Sequence, residues 1–242
     1  MSVLETNQQK KNQNQRSVND IIKFITKYES VFRFSRNRLL FPENLVSHIG
    51  IVTILGTYMM DDINYSWALL IDDPEDVKDD QLIFSAKDYA AYMRRAVVHD
   101  MDEIVTGDIV RPTKYANEVI LSNLKELEER SVDTLVEEYH LPTKWKSEWK
   151  QAKKDRVGLI LKTADLMSVM ITCYRECILF SNRQFMEVAD EAIDFSTEYF
   201  FTLKQEKDKS ENDVTTYVLD AVMSWVLSSI KLLDRRYIDN VL

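Results

Sequence analysis

Three apolar runs in this chain each carry polar groups that a hydrophobic core tolerates only when something satisfies them. Leu45, Val46, Ile49, Val52 and Leu55 recur at helical spacing around His48. Tyr89, Tyr92, Met93, Ala96 and Val97 lead directly into the pair His99-Asp100. The stretch from Leu159 to Ile171 holds one acid, Asp165, among Leu, Ile, Ala and Met. Burying a carboxylate in such company is costly unless it is paired or bound to a metal. Each such group must therefore find a partner or a metal wherever it is buried. Taken singly, each group has an ordinary explanation: a satisfied core histidine, or a salt-bridge partner inside a helix. Their shared setting is what makes them candidates for one site.

The segment Val97–Asp108 is the densest in chemistry, with four acids and a histidine in an otherwise mostly apolar frame. Imidazole and carboxylate are both ligands that a borderline divalent cation accepts. Glu103 follows four residues after His99, one helical turn on if the helix persists, and a solvated role is its ordinary reading. Asp108 follows Gly107 and is expected on a turn.

With only 4 Gly and 4 Pro in 242 residues, a turn-rich β architecture is disfavoured and an all-α fold is expected. A hydrophobic share of 45% is enough for a substantial core. The net charge of −9 argues against a nucleic-acid polymer as partner. Cys173 and Cys177 lie four apart on an apolar helix; a disulfide stays open, but two core thiols in a reducing compartment are the ordinary reading. No charged-then-apolar leader begins the chain and no apolar run reaches the roughly 18–20 residues that span a bilayer, so a cytoplasmic protein without a membrane partner is expected.

The organisation reads as a polar, disordered tail over residues 1–16, a helical core over 17–181, and C-terminal helices over 182–242 packed on that core. Ser17 or Asn19 can cap a first helix whose inner side is Ile21, Ile22, Phe24, Ile25 and Tyr28. Arg33, Arg36 and Arg38 form a local basic cluster in an irregular stretch, for which a solvated loop is the ordinary reading. Residues 60–84 are rich in Asp and read as an inserted, partly ordered excursion. Their spacing is not that of an EF-hand, and they contain no glycine for its turn. Thr143–Ser181 reads as one long helix or two joined near Gly158, and His140 as a surface or structural histidine. The C-terminal apolar faces suit core packing, and a dimer surface would look the same.

The order His48 … His99-Asp100 … Asp165, each on an apolar helix, resembles the HD-domain metal-dependent phosphohydrolases. More narrowly, the chain resembles the bacterial HD-domain 5'-deoxynucleotidases of the YfbR type over roughly Ile22 to Ile178. The matching pieces are Arg33-Phe34, Glu43-Asn44 before His48, and His99-Asp100-x-x-Glu103-x-x-Thr106-Gly107-Asp108. Pro112-x-Lys114-Tyr115 and Lys162-x-Ala164-Asp165-Leu166 complete them. Two departures stand out. Phe34 replaces the tryptophan usual in the relatives, and Ser47 replaces the glutamate that usually precedes the first histidine, which removes a potential partner of that ring.

The resemblance implies an HD-domain helical bundle, a homodimer, and hydrolysis of deoxynucleoside 5'-monophosphates to deoxynucleoside and phosphate. His48, His99, Asp100 and Asp165 would bind one divalent transition ion. A mixed nitrogen and oxygen set suits Co, Mn, Zn or Fe better than Mg. Glu103 would orient or deprotonate the attacking water, and Arg33 would clamp the phosphate. Asp108 would bind the sugar 3'-hydroxyl, Phe34 would crowd the 2' position, and Lys114 is a weaker phosphate candidate. Three rivals share this sequence: a dNTP hydrolase of the dATP type releasing triphosphate or pyrophosphate, a non-catalytic nucleotide-binding protein, and, less favoured, a cyclic-nucleotide or (p)ppGpp hydrolase.

Overall fold

The computed structural model describes residues 18–71 and 77–233; the polar tail, the acids Asp72, Asp73, Glu75 and Asp76, and the last residues of the C-terminal segment lie outside the described residues. The architecture is all-helical, with no strand among the described residues beyond an isolated antiparallel bridge between Phe32 and Asn44.

The longest helix, α2 (Leu45–Ile71), is built on a stripe that returns every three or four residues: Leu45, His48, Val52, Gly56, Met60, Asn64 and Ala68 are all buried. Helix α1 (residues 18–29) precedes it and buries Phe24 and Tyr28, whereas Ile22 and Ile25 stay exposed, so its inner stripe is narrower than the sequence suggests. Helix α3 (Ala86–Val98) begins with a capping box, Ser85 Oγ accepting from the Asp88 amide and the Asp88 carboxylate accepting from the Ser85 amide. It crosses α2 at Gly56, where a Cβ would lie 1.9 Å from the Tyr92 hydroxyl; that hydroxyl donates to the Val52 carbonyl at 2.5 Å. A side chain at position 56 would push α3 away, and the His99-Asp100 end with it.

Two one-turn helices, α4 (Glu103–Thr106) and α5 (Arg111–Lys114), lead into α6 (Glu118–Glu138), α7 (Thr143–Gln151) and α8 (Asp155–Cys173). Helix α8 continues as a six-residue π-helical extension, Tyr174–Leu179. Helices α9 (Met186–Asp208) and α10 (Asp213–Leu233) form an antiparallel pair on α8. Met60 and Ile63 of α2, Tyr92 of α3, Ile160 and Leu161 of α8, Tyr199 of α9 and Val222 and Val226 of α10 belong to one buried cluster. The C-terminal helices thus share the main core, and Ala189, Ala192 and Leu233 also close a smaller cluster with Met170, Cys173 and Phe185 at the end of α8.

Three expectations need correction. Residues 60–71 are the last part of α2, with Met60, Ile63, Asn64 and Ala68 buried, and Ile83 and Phe84 return to the core. The acids of this stretch masked its helical stripe: Asp61 accepts from Tyr89 and Asp62 from Trp225, while the Asn64 side chain grips both backbone groups of Phe84 at 2.8 Å. The break in Thr143–Ser181 falls at Ala152–Lys154, before Gly158 and not at it. Asp155–Leu179 and Asp213–Leu233 are also long and apolar enough to cross a membrane, because such a span tolerates one or two charges; the first is 67% buried inside the protein, as a core helix is.

Candidate metal centre

The four groups marked by their apolar settings come together from three helices. His48 projects from α2 and is wholly buried, His99 caps the C-terminus of α3 with Asp100 next to it, and Asp165 sits midway along α8. His48 Nε2 lies 3.3 Å from His99 Nε2, 3.3 Å from Asp100 Oδ2 and 3.3 Å from Asp165 Oδ1; His99 Nε2 lies 3.0 Å from Asp100 Oδ2. Ligands about 2.0–2.2 Å from one ion stand about 3.3–3.5 Å apart in a tetrahedron and about 2.9–3.1 Å apart at adjacent octahedral positions. The donors already keep that spacing, within 4.8 Å of one another overall, so the residues fit a single divalent ion.

The ring orientations agree with this. His99 Nδ1 donates to the Ala96 carbonyl at 2.8 Å, which leaves its Nε2 lone pair facing the cluster. Ser168 Oγ donates to the Asp165 carbonyl at 2.7 Å and so accepts from His48 Nδ1 at 3.1 Å, turning that ring the same way. Burial and the Arg33 charge push the His48 pKa down, but the adjoining carboxylates of Asp100, Asp165 and Glu43 outweigh them and carry it up to about 10. Burial opposes ionisation of Asp100 and Asp165, yet their surroundings outweigh it: contacts with the His99 and His48 rings hold Asp100 well below the usual carboxylate range, and the Lys153 ammonium with the His48 ring does the same for Asp165. Both carboxylates are thus kept ionised beside the two imidazoles, the form in which they would ligate a cation.

Around it the chain is tied by a loop between α1 and α2. The Arg33 amide donates to the Glu43 carbonyl at 2.8 Å and the Leu45 amide to Val31 at 3.0 Å, folding the loop back on itself. The Arg33 guanidinium rests against the His48 ring, 2.8 Å from Nε2, and its Nε is buried without a partner. Phe34 adopts a left-handed backbone, φ +55°, in which its amide donates to Asp108 Oδ2 at 2.7 Å; its ring meets Phe185 edge-on at 5.3 Å. Helix α3 ends before Glu103, so this residue arrives on the new turn α4 and not on the His99 helix. Burial, then the charge of Asp100, raises the Glu103 carboxyl well above its usual range, and Oε2 is buried without a partner.

Lys114 has a partner elsewhere: its ammonium bonds Glu128 at 2.6 Å on α6. His140 is exposed and paired with Asp20 at 3.0 Å. Four contributors escaped the sequence reading. Glu43 places Oε1 3.6 Å from His48 Nδ1 and 3.8 Å from Arg33. Glu176, on the π-helical turn, accepts from the amides of Leu40 and Phe41, each at 3.0 Å, and fastens the far end of the Arg33 loop. Ser168 fixes the His48 ring, and Lys153 adjoins the carboxylates. The Glu43-Asn44 motif was the one available pointer to Glu43; no local signal marks the others. A cleft of about 300 Å³ between α8, α9 and α10 holds none of these groups.

Comparison with known proteins agrees with the geometry. The family model described as "5'-deoxynucleotidase YfbR-like" matches residues 77–199, which include His99, Asp100, Glu103, Asp108, Lys114 and Asp165; Arg33, Phe34 and His48 precede the match. A crystal structure of an HD-domain phosphohydrolase from Listeria innocua superposes with a TM-score of 0.56 at 18% identity, covering 87% of this chain and 98% of that one. That likeness is one of fold. No curated protein matches.

Proposed function

The chain belongs to the YfbR-like 5'-deoxynucleotidase family of metal-dependent phosphohydrolases, and from this premise we propose that it hydrolyses deoxynucleoside 5'-monophosphates to deoxynucleoside and phosphate. The observation that carries this reading is the convergence of two imidazole nitrogens and two carboxylate oxygens at 3.0–3.3 Å, with a buried, unpartnered Glu103 oxygen nearby. His48, His99, Asp100 and Asp165 would hold one ion, and the mixed donor set suits Co, Mn, Zn or Fe over Mg. A bound ion supplies Lewis-acid polarisation of the phosphate and a water of lowered pKa.

The chain's own groups do the rest. Arg33 is a planar fork, 12% exposed, whose Nε has no partner among the described residues and is suited to phosphate oxygens. The high proton affinity of Glu103, imposed by burial and Asp100, suits a group that takes a proton from water. Asp108 uses one oxygen to hold the Phe34 amide and keeps acceptor capacity for a 3'-hydroxyl, so sugar contact and loop position are coupled. Phe34, braced by Phe185, is offered as the group that disfavours a 2'-hydroxyl. Lys114 in this reading is a secondary contact that must first leave Glu128. The same reading makes the protein a cytoplasmic homodimer whose partner molecule is the deoxynucleotide.

Product identification tests it. Metal-stripped protein restored with Co, Mn, Zn or Mg is given the four dNMPs, the matching NMPs and dNTPs, beside the Asp100→Ala variant. Phosphate from dNMPs, absent in the variant, is expected. Triphosphate or pyrophosphate from dNTPs would move the assignment to the rival hydrolase. Binding of nucleotide without turnover would leave a non-catalytic protein.

A further inference from the structure

Lys153 lies in the turn between α7 and α8, outside every motif in the sequence. The turn is held from three sides. Asp155, with φ +61°, accepts from the amides of Val157 at 2.9 Å and Gly158 at 3.1 Å. Arg95 of α3 grips the Asp155 carboxylate with both terminal nitrogens, at 2.8 and 2.9 Å, and donates to the Lys154 carbonyl at 3.2 Å. Gly158 admits the Lys153 backbone so closely that a Cβ would lie 2.5 Å from the Lys153 carbonyl carbon.

From this fixed backbone the Lys153 ammonium reaches Asp165 Oδ2 at 3.0 Å and Asp100 Oδ1 at 4.0 Å. The opposite oxygens, Asp165 Oδ1 and Asp100 Oδ2, are the ones that face His48 Nε2. Each carboxylate therefore shows one oxygen to the imidazoles and turns the other toward Lys153. The lysine side chain is 47% exposed, so it turns one side to solvent and the other to the carboxylates. An ammonium has three donors, and the two carboxylates use at most two.

Charge counting gives this position a purpose. Asp100 and Asp165 neutralise a divalent ion, and Glu43, 3.8 Å from Arg33, offsets part of that cation, so a phosphate monoester dianion needs positive charge beyond Arg33. Arg33 lies on the His48 side; Lys114 is taken by Glu128, and Lys153 stands beside the carboxylates. We propose that Lys153 is a phosphate-binding residue, the second cation that holds the substrate's phosphate dianion over the centre. The proposal rests on the nucleotidase reading for its substrate.

The test loads wild-type, Lys153→Met and Lys153→Arg proteins with saturating Co and titrates each with inorganic phosphate by calorimetry, after visible absorption has measured the Co affinity of each. A lost charged hydrogen bond predicts phosphate binding roughly ten- to a hundredfold weaker in Lys153→Met, with partial recovery in Lys153→Arg. Phosphate binding at wild-type strength in Co-saturated Lys153→Met would overturn the proposal, and a loss confined to Co affinity would assign the lysine to holding the carboxylates. The nucleotidase reading fails separately: wild-type protein that binds Co and phosphate yet releases nothing from dNMPs would defeat that reading while leaving the phosphate titration interpretable.

Discussion

At the scale of residues, the carboxylate of Glu43 faces the protonated edge of His48 while Thr172 donates to its other oxygen at 2.8 Å. It is 2% exposed and its Oε1 has no close hydrogen-bond partner, so its charge acts on His48 and Arg33 through space. Glu43→Gln keeps the shape and removes the charge. Supports of this kind contribute about 10–100-fold to metal affinity, and a competition titration with a chromophoric chelator should show a loss in that range. Wild-type affinity would mean that Ser168 alone orients the ring. Glu103→Gln should lower kcat by about 10²–10⁴ with metal content and KM nearly unchanged, as expected for proton transfer in the transition state. A KM effect without a kcat effect would make Glu103 a binding residue. The meeting of His48, His99, Asp100 and Asp165 was legible in the sequence because they interrupt or end the apolar stripes of three helices. Glu43 and Lys153 were not, because nothing in a glutamate or lysine of a connecting loop shows which helix end it will meet, and Ser168 on α8 looks like any small residue of a buried stripe.

At the scale of elements, the α7–α8 turn joins stability to the site. Gly158→Ala forces a methyl against backbone, which overpacking data put at about 1–3 kcal/mol of stability, and thermal unfolding should register it. An unchanged midpoint would show that the turn yields easily. Arg95 and the amides of Val157 and Gly158 lower the pKa of Asp155 against the opposing effect of burial. Its carboxyl therefore binds a proton less tightly folded than unfolded, where it titrates near about 3.9. The contribution is complete above that value and is lost as pH falls through the lower folded value. Asp155→Asn should consequently flatten the acid side of the urea-midpoint curve, modestly because the side chain is 51% exposed; a slope equal to wild type would contradict the assignment. Sequence periodicity found the helices but misplaced two joins. Glycine suggested the break at Gly158, whereas that residue serves close approach inside α8. Asp61 and Asp62 disguised the end of α2, although both bond to side chains of neighbouring helices. The Glu176 clamp on Leu40 and Phe41 spans more than a hundred residues of chain, which no local pattern encodes.

At the scale of the whole molecule, one core joins α2, α3 and α8, the helices that carry the four donors, to α9 and α10. Leu219 of α10 is buried in it, far in sequence from any ligand. Leu219→Ala should cost about 2–5 kcal/mol and shift a single cooperative transition, in which tryptophan fluorescence and bound-metal signals move together. Two separate transitions would show that the C-terminal helices fold apart from the centre. An all-helical fold was readable from the scarcity of glycine and proline, whereas the shared core depends on which apolar face meets which. The central claim is that three helices assemble one four-donor metal site, and its most direct measurement is metal content. After equilibration with Co and removal of free ion, wild-type protein should retain one ion per chain, and His48→Ala and Asp165→Ala, folded by circular dichroism, should retain nearly none. Full retention in either variant, or no ion bound by the wild type, would contradict the account.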